Sequence, residues 1–141
     1  MTVKNLIDAI AEALFQEFGS GHEIYTEKVE QGLEEGCFLV RCVNPTKNVD
    51  LDIRYKRTNQ FVIQYIPSTA EENDECLSVL EKLFDCLEYV ILSEMPVRGT
   101  EMHGEITDGI LNFMVNYDGF VMKERSETNM EDLDVLTEAK G

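Results

Sequence analysis

Residues 97–122, VRGTEMHGEITDGILNFMVNYDGFVM, contain the strongest local folding signal in the chain. Asp108 and Gly109 stand between two runs in which apolar and polar residues alternate. A tight two-residue turn of this kind needs positive φ at both central positions, which the pair Asp-Gly tolerates. The sequence therefore predicts a long antiparallel hairpin with its turn at Asp108-Gly109.

This turn fixes the predicted register of the hairpin. On one face the predicted pairs are Ile106 with Leu111, Gly104 with Phe113, Met102 with Val115, and Thr100 with Tyr117. The other face pairs Thr107, Glu105, His103 and Glu101 with Ile110, Asn112, Met114 and Asn116. Because the first face is apolar, we expect it to line the core. The Phe113 ring is expected to lie over the strand glycine Gly104.

Length and composition favour a single domain of ordinary size. The chain has 141 residues, of which 43% are hydrophobic, enough for one core and too few for two comfortable domains. It has no apolar run of membrane-spanning length and no signal-peptide pattern, so we expect a protein made and kept in the cytoplasm.

The charge balance excludes two classes of partner. The formal net charge is −16, from 28 acidic and 12 basic residues. Binding a nucleic-acid backbone or an anionic membrane needs an excess of Lys and Arg, so neither partner is expected. An acidic surface serves solubility, and it also suits a channel through which DNA slides without sticking.

The cysteines are expected to be reduced. Four are present, at Cys37, Cys42, Cys76 and Cys86, and none forms a CxxC pair. This spacing disfavours a zinc ribbon or a redox motif, and buried free cysteine behaves as a small apolar residue.

The remaining pattern predicts two helices and several strands. Thr2 is expected to cap a first helix that ends at residues 19–21, and Ser68 or Thr69 to start a second helix through a capping box. In the second helix, apolar residues recur from Cys76 to Val90, and Pro96 separates it from the hairpin. Strands are predicted at residues 23–27, 37–43, 49–56 and 61–66, with a break at Asn44-Pro45 and a turn at residues 57–60.

This order of elements predicts an α+β fold in one compact domain. Contiguous strands joined by short turns favour a mainly antiparallel sheet with two principal helices packed on one side. We place the domain at residues 1–123 and an acidic C-terminal tail at residues 124–141. The tail is expected to become ordered on assembly, with Met130, Leu133 and Val135 as its apolar anchors.

One strand face carries residues able to do chemistry. Glu101, His103 and Glu105 alternate, so their side chains share a face and could bind a divalent cation or transfer protons. A solvated sheet face is the simpler interpretation. The chain shows no Ser-His-Asp pattern and no phosphate-binding loop, so neither catalytic nor cofactor-binding residues are expected.

Arg54, Lys56 and Arg57 form the densest basic cluster of this acidic chain. They could be ordinary solvated charges near a turn. They would also suit an interface in which scarce basic residues meet the acidic surface of an identical neighbour.

Four segments together indicate a family. They are residues 27–38 (EKVEQGLEEGCF), 54–58 (RYKRT), 98–103 (RGTEMH) and 108–117 (DGILNFMVNY). In this order and spacing the chain resembles phage and prophage tail terminator, or tail completion, proteins over nearly its whole length. The resemblance implies a compact α/β sandwich and a virion protein without catalytic residues.

The resemblance also implies a mode of action and a set of partners. Such proteins form a ring, usually a hexamer, at the head-proximal end of the tail tube. The ring ends tube polymerisation and offers the surface on which the head connector docks. The expected partners are therefore further copies of the chain, the tail tube protein and the head connector, in the host cytoplasm during assembly and then in the virion.

Two other functions stay open from the sequence. One is a monomeric or dimeric acidic regulatory module of prophage origin that mimics DNA charge. The other is a small metal-dependent enzyme that uses the face of Glu101, His103 and Glu105.

Overall fold

The computed structural model describes residues 2–27 and 34–123 of the chain. The elements are α1 (Val3–Phe18), a 3-10 turn (Gly19–Gly21), β1 (Ile24–Tyr25), β2 (Phe38–Leu51), β3 (Arg54–Tyr65), α2 (Glu72–Cys86), β4 (Tyr89–Leu92), β5 (Met95–Thr107) and β6 (Ile110–Met122). None of the helices in the described ranges has the length and apolarity that a membrane crossing requires.

All six strands form one sheet in the order β1-β2-β3-β6-β5-β4. The two-residue strand β1 runs parallel to β2, and every other pair is antiparallel. Helix α1 packs against both β2 and β4, so the sheet curls around the helices and encloses one core. The predicted α+β fold, with a mainly antiparallel sheet and two helices, is confirmed.

Helix α1 forms as its termini predict. The Thr2 Oγ1 accepts a hydrogen bond from the Asn5 N–H at 3.1 Å, which satisfies one of the free amides of the first turn. At the other end, Gly19 adopts φ 78° and stops the helix. Leu6, Ile10 and Leu14 face inwards and are fully buried.

The predicted hairpin turn is confirmed. Asp108 and Gly109 have φ of 54° and 76°, and the predicted register holds from Thr107 opposite Ile110 to His103 opposite Met114. Leu111, Phe113 and Val115 all lie in the core as expected.

Beyond His103 the predicted register is wrong by one residue. A β-bulge lies between Thr100 and His103, where Glu101 has φ 51°. Thr100 therefore lies opposite Asn116 instead of Tyr117, and Gly99 takes the place opposite Tyr117. The extra residue carries no signal that pattern counting detects.

The side chain nearest to Gly104 comes from the helix layer. A Cβ atom at Gly104 would lie 2.5 Å from Leu80 Cδ1, so the Leu80 side chain of α2 occupies the space over this glycine. Leu111 of the hairpin would lie 3.4 Å from the same Cβ atom, and Phe113 is the residue directly opposite Gly104, as predicted.

The predicted boundaries of β2 and β3 are also wrong. β2 continues through Asn44-Pro45 to Leu51, and the turn is at residues 52–53, where Asp52 has φ 53°. Residues 57–60 lie inside β3 instead of forming a turn. Proline is tolerated because β1 covers only residues 38–39 of β2, which leaves β2 as an edge strand at Pro45.

Helix α2 is shorter than its apolar spacing predicts. It ends at Cys86, and Val90 is buried in the separate strand β4. Pro96, expected between helix and hairpin, lies within β5 opposite Ile91. The helical spacing of apolar residues, every three or four positions, continues by coincidence into β4, although the β4 sequence YVIL favours a strand.

The predicted capping box is replaced by a carboxylate farther along the helix. Glu71 is the N-cap residue and makes no side-chain capping bond. Glu75 accepts hydrogen bonds from the backbone amides of Ser68 and Thr69, both at 2.9 Å, and from the Tyr65 hydroxyl at 2.5 Å. Burial raises the pKa of Glu75, but these hydrogen bonds outweigh it and lower the pKa to about 2.

Candidate functional site

The structure does not bring Glu101, His103 and Glu105 together as a group of metal ligands. The bulge at Glu101 interrupts the alternation that would align the three side chains, and His103 Nδ1 lies 3.3 Å from the Glu101 carbonyl oxygen. Among residues 2–27 and 34–123, no group of three His, Cys, Asp or Glu side chains could hold a metal ion.

The four cysteines are free thiols, as expected. Cys37 and Cys76 are buried, and Cys42 and Cys86 are half-buried. Burial raises the pKa of Cys86 to about 12, with Glu17 adding to the shift, so this thiol stays protonated at neutral pH.

The first exposed surface of interest is the end of the sheet that we call the tip, residues 47–57 and 118–123. β5 pairs with β6 only as far as Tyr117, so beyond that point the sheet narrows to β2, β3 and β6. Neither of the two described helices covers the tip, since Val49 on the core side is 68% exposed and Phe120 on the outer side 58%. Its exposed large apolar residues are Val49, Leu51, Phe120 and Met122.

The register divides the predicted basic cluster between two faces of the tip. Arg54 lies opposite Met122 and Lys56 opposite Phe120, so these four side chains share the outer face. The Arg54 guanidinium lies 4.9 Å from the centre of the Phe120 ring, and its Nε is 2.6 Å from an Asp50 carboxylate oxygen. Basic and apolar groups are therefore interleaved on this face.

Arg57 points to the opposite face. Its Nε donates to the Thr46 carbonyl oxygen at 3.1 Å, and its guanidinium reaches the Asn59 side chain at 3.5 Å. Asn59 is buried and its Nδ2 donates to the Tyr117 carbonyl oxygen at 3.0 Å. Arg57 thus braces the base of the tip, whereas Arg54 and Lys56 are exposed on its outer face.

The tip concentrates the positive charge of the chain. Five of the 12 basic residues lie in it, against three acidic residues. The basic residues are Lys47, Arg54, Lys56, Arg57 and Lys123, and the acidic ones are Asp50, Asp52 and Asp118.

A second surface, the α1–β4 groove, lies between the outer side of α1 and the edge strand β4. It has a volume of about 620 Å³ and continues along α1 towards Asn5 and Ser93. Ala9 and Ala13 keep it open, and Ile91, which is 61% exposed, stands at its rim. The charged residues that line it are all acidic: Asp8, Glu12 and Glu17.

The β4 edge of this groove has open backbone hydrogen-bonding groups. The Gly99 N–H donates to the Glu88 carbonyl oxygen at 2.6 Å, so the next bonded positions of β4 are Val90 and Leu92. The N–H and C=O groups of Tyr89 and Ile91 therefore point away from β5. They form an edge to which a further strand can add.

Sequence reasoning found the basic residues of the tip and missed the groove. The groove depends on β4, and the helical spacing of apolar residues predicts that α2 continues to Val90 within it. The Tyr-Val-Ile-Leu run at residues 89–92 was the available signal. Three other candidates, Met130, Leu133 and Val135, lie outside the described residues.

The geometry describes a small structural domain with two chemically different exposed surfaces. Its sequence matches the family model of the phage tail terminator protein over residues 5–129. The chain therefore belongs to the phage tail terminator family. This family has a structural, tail-terminating role in association with other tail components in the virion, and it is not an enzyme family.

One solved structure has a similar fold. The fold is similar to that of the sheath/tube terminator of an extracellular contractile injection system, PVC, seen in its extended state by cryo-electron microscopy. The TM-score is 0.50 at 10% sequence identity, over 99% of this chain and 67% of the other. At this identity the likeness bears on the fold alone. A search of curated proteins finds no match to the sequence.

Proposed function

We propose that the protein forms a ring, with six copies as the expected number, on the head-proximal end of the phage tail tube. The ring stops tube polymerisation and presents the surface on which the head connector docks. The observation that carries this proposal is the family match over residues 5–129, which includes all six described strands, α2 and all of α1 except its first two residues.

The arrangement of surfaces supports a ring. Closed rings are built from heterologous contacts, in which one patch of a subunit meets a different patch of its neighbour. The basic, apolar tip and the acidic groove are two such different patches on one chain. The solved terminator of similar fold acts at the end of a tube, which is the position that we propose here.

The acidic composition fits a ring around a DNA path. A net charge of −16 leaves most of the surface repulsive to nucleic acid, so DNA can pass from head to tail without being held. The C-terminal residues Met130, Leu133 and Val135 are proposed to anchor the acidic tail against a neighbouring copy or a tail partner.

Deletion of the gene from the phage tests the function. We expect tails of uncontrolled length that do not join heads, together with normal heads, by negative-stain electron microscopy. A plasmid copy of the gene should restore uniform, joined tails. Uniform tails joined to heads in the deletion strain would contradict the proposed function.

Measuring the mass of the native protein tests the ring directly. Purified protein is examined over a range of concentrations, with and without tail tube protein, because the tube end can act as the template for assembly. We expect closed oligomers at least in the presence of the tube protein. A protein that stays monomeric in both conditions would contradict the ring.

A further inference from the structure

The tip and the groove have complementary chemistry. The outer face of the tip interleaves Arg54 and Lys56 with the exposed apolar residues Phe120 and Met122. The groove presents Glu12 and Glu17, with Asp8 farther along α1, around small apolar side chains. Opposite charges around an apolar centre are the arrangement that gives protein interfaces their specificity.

The two surfaces also have matching open strand edges. Residues 118–122 of β6 pair with β3 on one side and have no β5 partner on the other. Strand β4 exposes the backbone groups of Tyr89 and Ile91 on its outer side. Each open edge spans four or five residues, and proteins seldom leave such edges uncovered in their working assembly.

We propose that the tip of one copy docks into the α1–β4 groove of the next copy, and that this contact closes the ring. The outer face of the tip meets the acidic groove, so Arg54 and Lys56 lie among Glu12, Glu17 and Asp8. Phe120 and Met122 lie against the apolar rim at Ile91, and both open edges are covered. This inference rests on the proposed function and names the contact that assembles it.

The contact is heterologous, which allows a test by exchange of charge between copies. The tip variant is Arg54→Glu with Lys56→Glu, and the groove variant is Glu12→Lys with Glu17→Lys. All four residues are exposed, so each variant should fold, which far-UV circular dichroism and the unfolding midpoint check. Each variant alone places like charges in every contact, and we expect association to weaken by about 100-fold.

An equimolar mixture of the two variants should assemble again. In an alternating ring, the acidic tip of one variant meets the basic groove of the other, and the remaining contacts join an unchanged tip to an unchanged groove. Such alternation closes only when the number of subunits is even. Native mass spectrometry with tail tube protein present should therefore show rings with equal numbers of both variants.

The control variant, Glu81→Lys with Glu105→Lys, reverses the charge of two glutamates that lie outside both surfaces. It should assemble like the natural protein. Normal assembly of either variant alone, or a mixture that stays apart, would overturn the proposed contact while leaving the ring function standing. If the tip variant fails to assemble while the groove variant assembles normally, the tip binds another partner, such as the tube protein. This result would also overturn the proposed contact. In this experiment, the result that would contradict the proposed ring itself is failure of the natural protein to assemble.

Discussion

The carboxylate of Glu75 connects the end of β3 to the first turn of α2, and replacing it with glutamine tests this connection. One carboxylate oxygen accepts from the Ser68 amide and the Tyr65 hydroxyl, and the other accepts from the Thr69 amide and hydroxyl. Whichever oxygen becomes an NH₂ group, it faces a backbone N–H donor. Glu75→Gln therefore leaves at least one amide without an acceptor.

The expected cost follows from the hydrogen bonds lost. A hydrogen bond to a charged group contributes about 1.5–3 kcal/mol, so we expect Glu75→Gln to lower the free energy of unfolding by about 2 kcal/mol at pH 7. With a typical urea dependence for a domain of this size, the unfolding midpoint should fall by about 1 M urea. The control is Asp74→Asn, an exposed acid in the same first turn, which should cost less than about 1 kcal/mol.

The pH dependence separates the charged hydrogen bonds from simple packing. Folding lowers the pKa of Glu75 from its ordinary 4.5 to about 2, so its stabilising contribution is complete above pH 4.5. The contribution is lost as the pH falls from 4.5 towards 2, because the carboxylate of the unfolded chain then takes up a proton while the folded one stays ionised. The difference between the natural protein and Glu75→Gln should therefore shrink between pH 5 and pH 3. An equal difference at both values would refute the role of the charge.

Two further substitutions test the core and the close packing of β5. Phe113 is fully buried, with its ring 5.5 Å from that of Phe84, so Phe113→Ala should lower the free energy of unfolding in urea by about 3–5 kcal/mol. The control Phe120→Ala, at the exposed tip, should change this free energy little. Equal effects of the two substitutions would contradict the core assignment of Phe113. A Cβ at Gly99 would lie 2.8 Å from the Leu87 carbonyl oxygen, so Gly99→Ala should cost about 1–3 kcal/mol in the same assay. Gly104→Ala should lower the free energy of unfolding by less, because the added Cβ meets the movable end of the Leu80 side chain. A larger loss for Gly104→Ala than for Gly99→Ala would contradict this packing.

The elements that could be predicted from the sequence have signals within a few residues. Asp108-Gly109 sets its turn through the positive φ that these two residues tolerate, and Thr2 and Gly19 determine the two ends of α1. The bulge at Glu101 has no such signal, because one inserted residue changes the register without changing the composition of either strand.

The tip could not be predicted because its apolar residues are exposed instead of buried in the core. Val49, Leu51, Ile53 and Tyr55 alternate with polar residues as a half-buried strand does, so the pattern predicted a strand through the true turn. Alternation reports only that apolar side chains share a face. It does not show whether that face packs against the same chain or against another molecule. In this structure Val49 and Leu51 are about two-thirds exposed. The division of Arg54 and Arg57 between faces likewise needed the true register.

The charge of the chain places a constraint on how such an exposed tip can work. Copies that carry −16 each repel one another at long range, with a screening length of about 8 Å at physiological salt. Exposed apolar residues and open strand edges would otherwise favour random aggregation. Because five of the 12 basic residues lie at the tip, electrostatic attraction between copies is strongest for approaches that bring the tip against an acidic surface. The acidic excess thus opposes association in every other orientation, and the same charge distribution that keeps the subunits apart directs the contact that we propose for the ring.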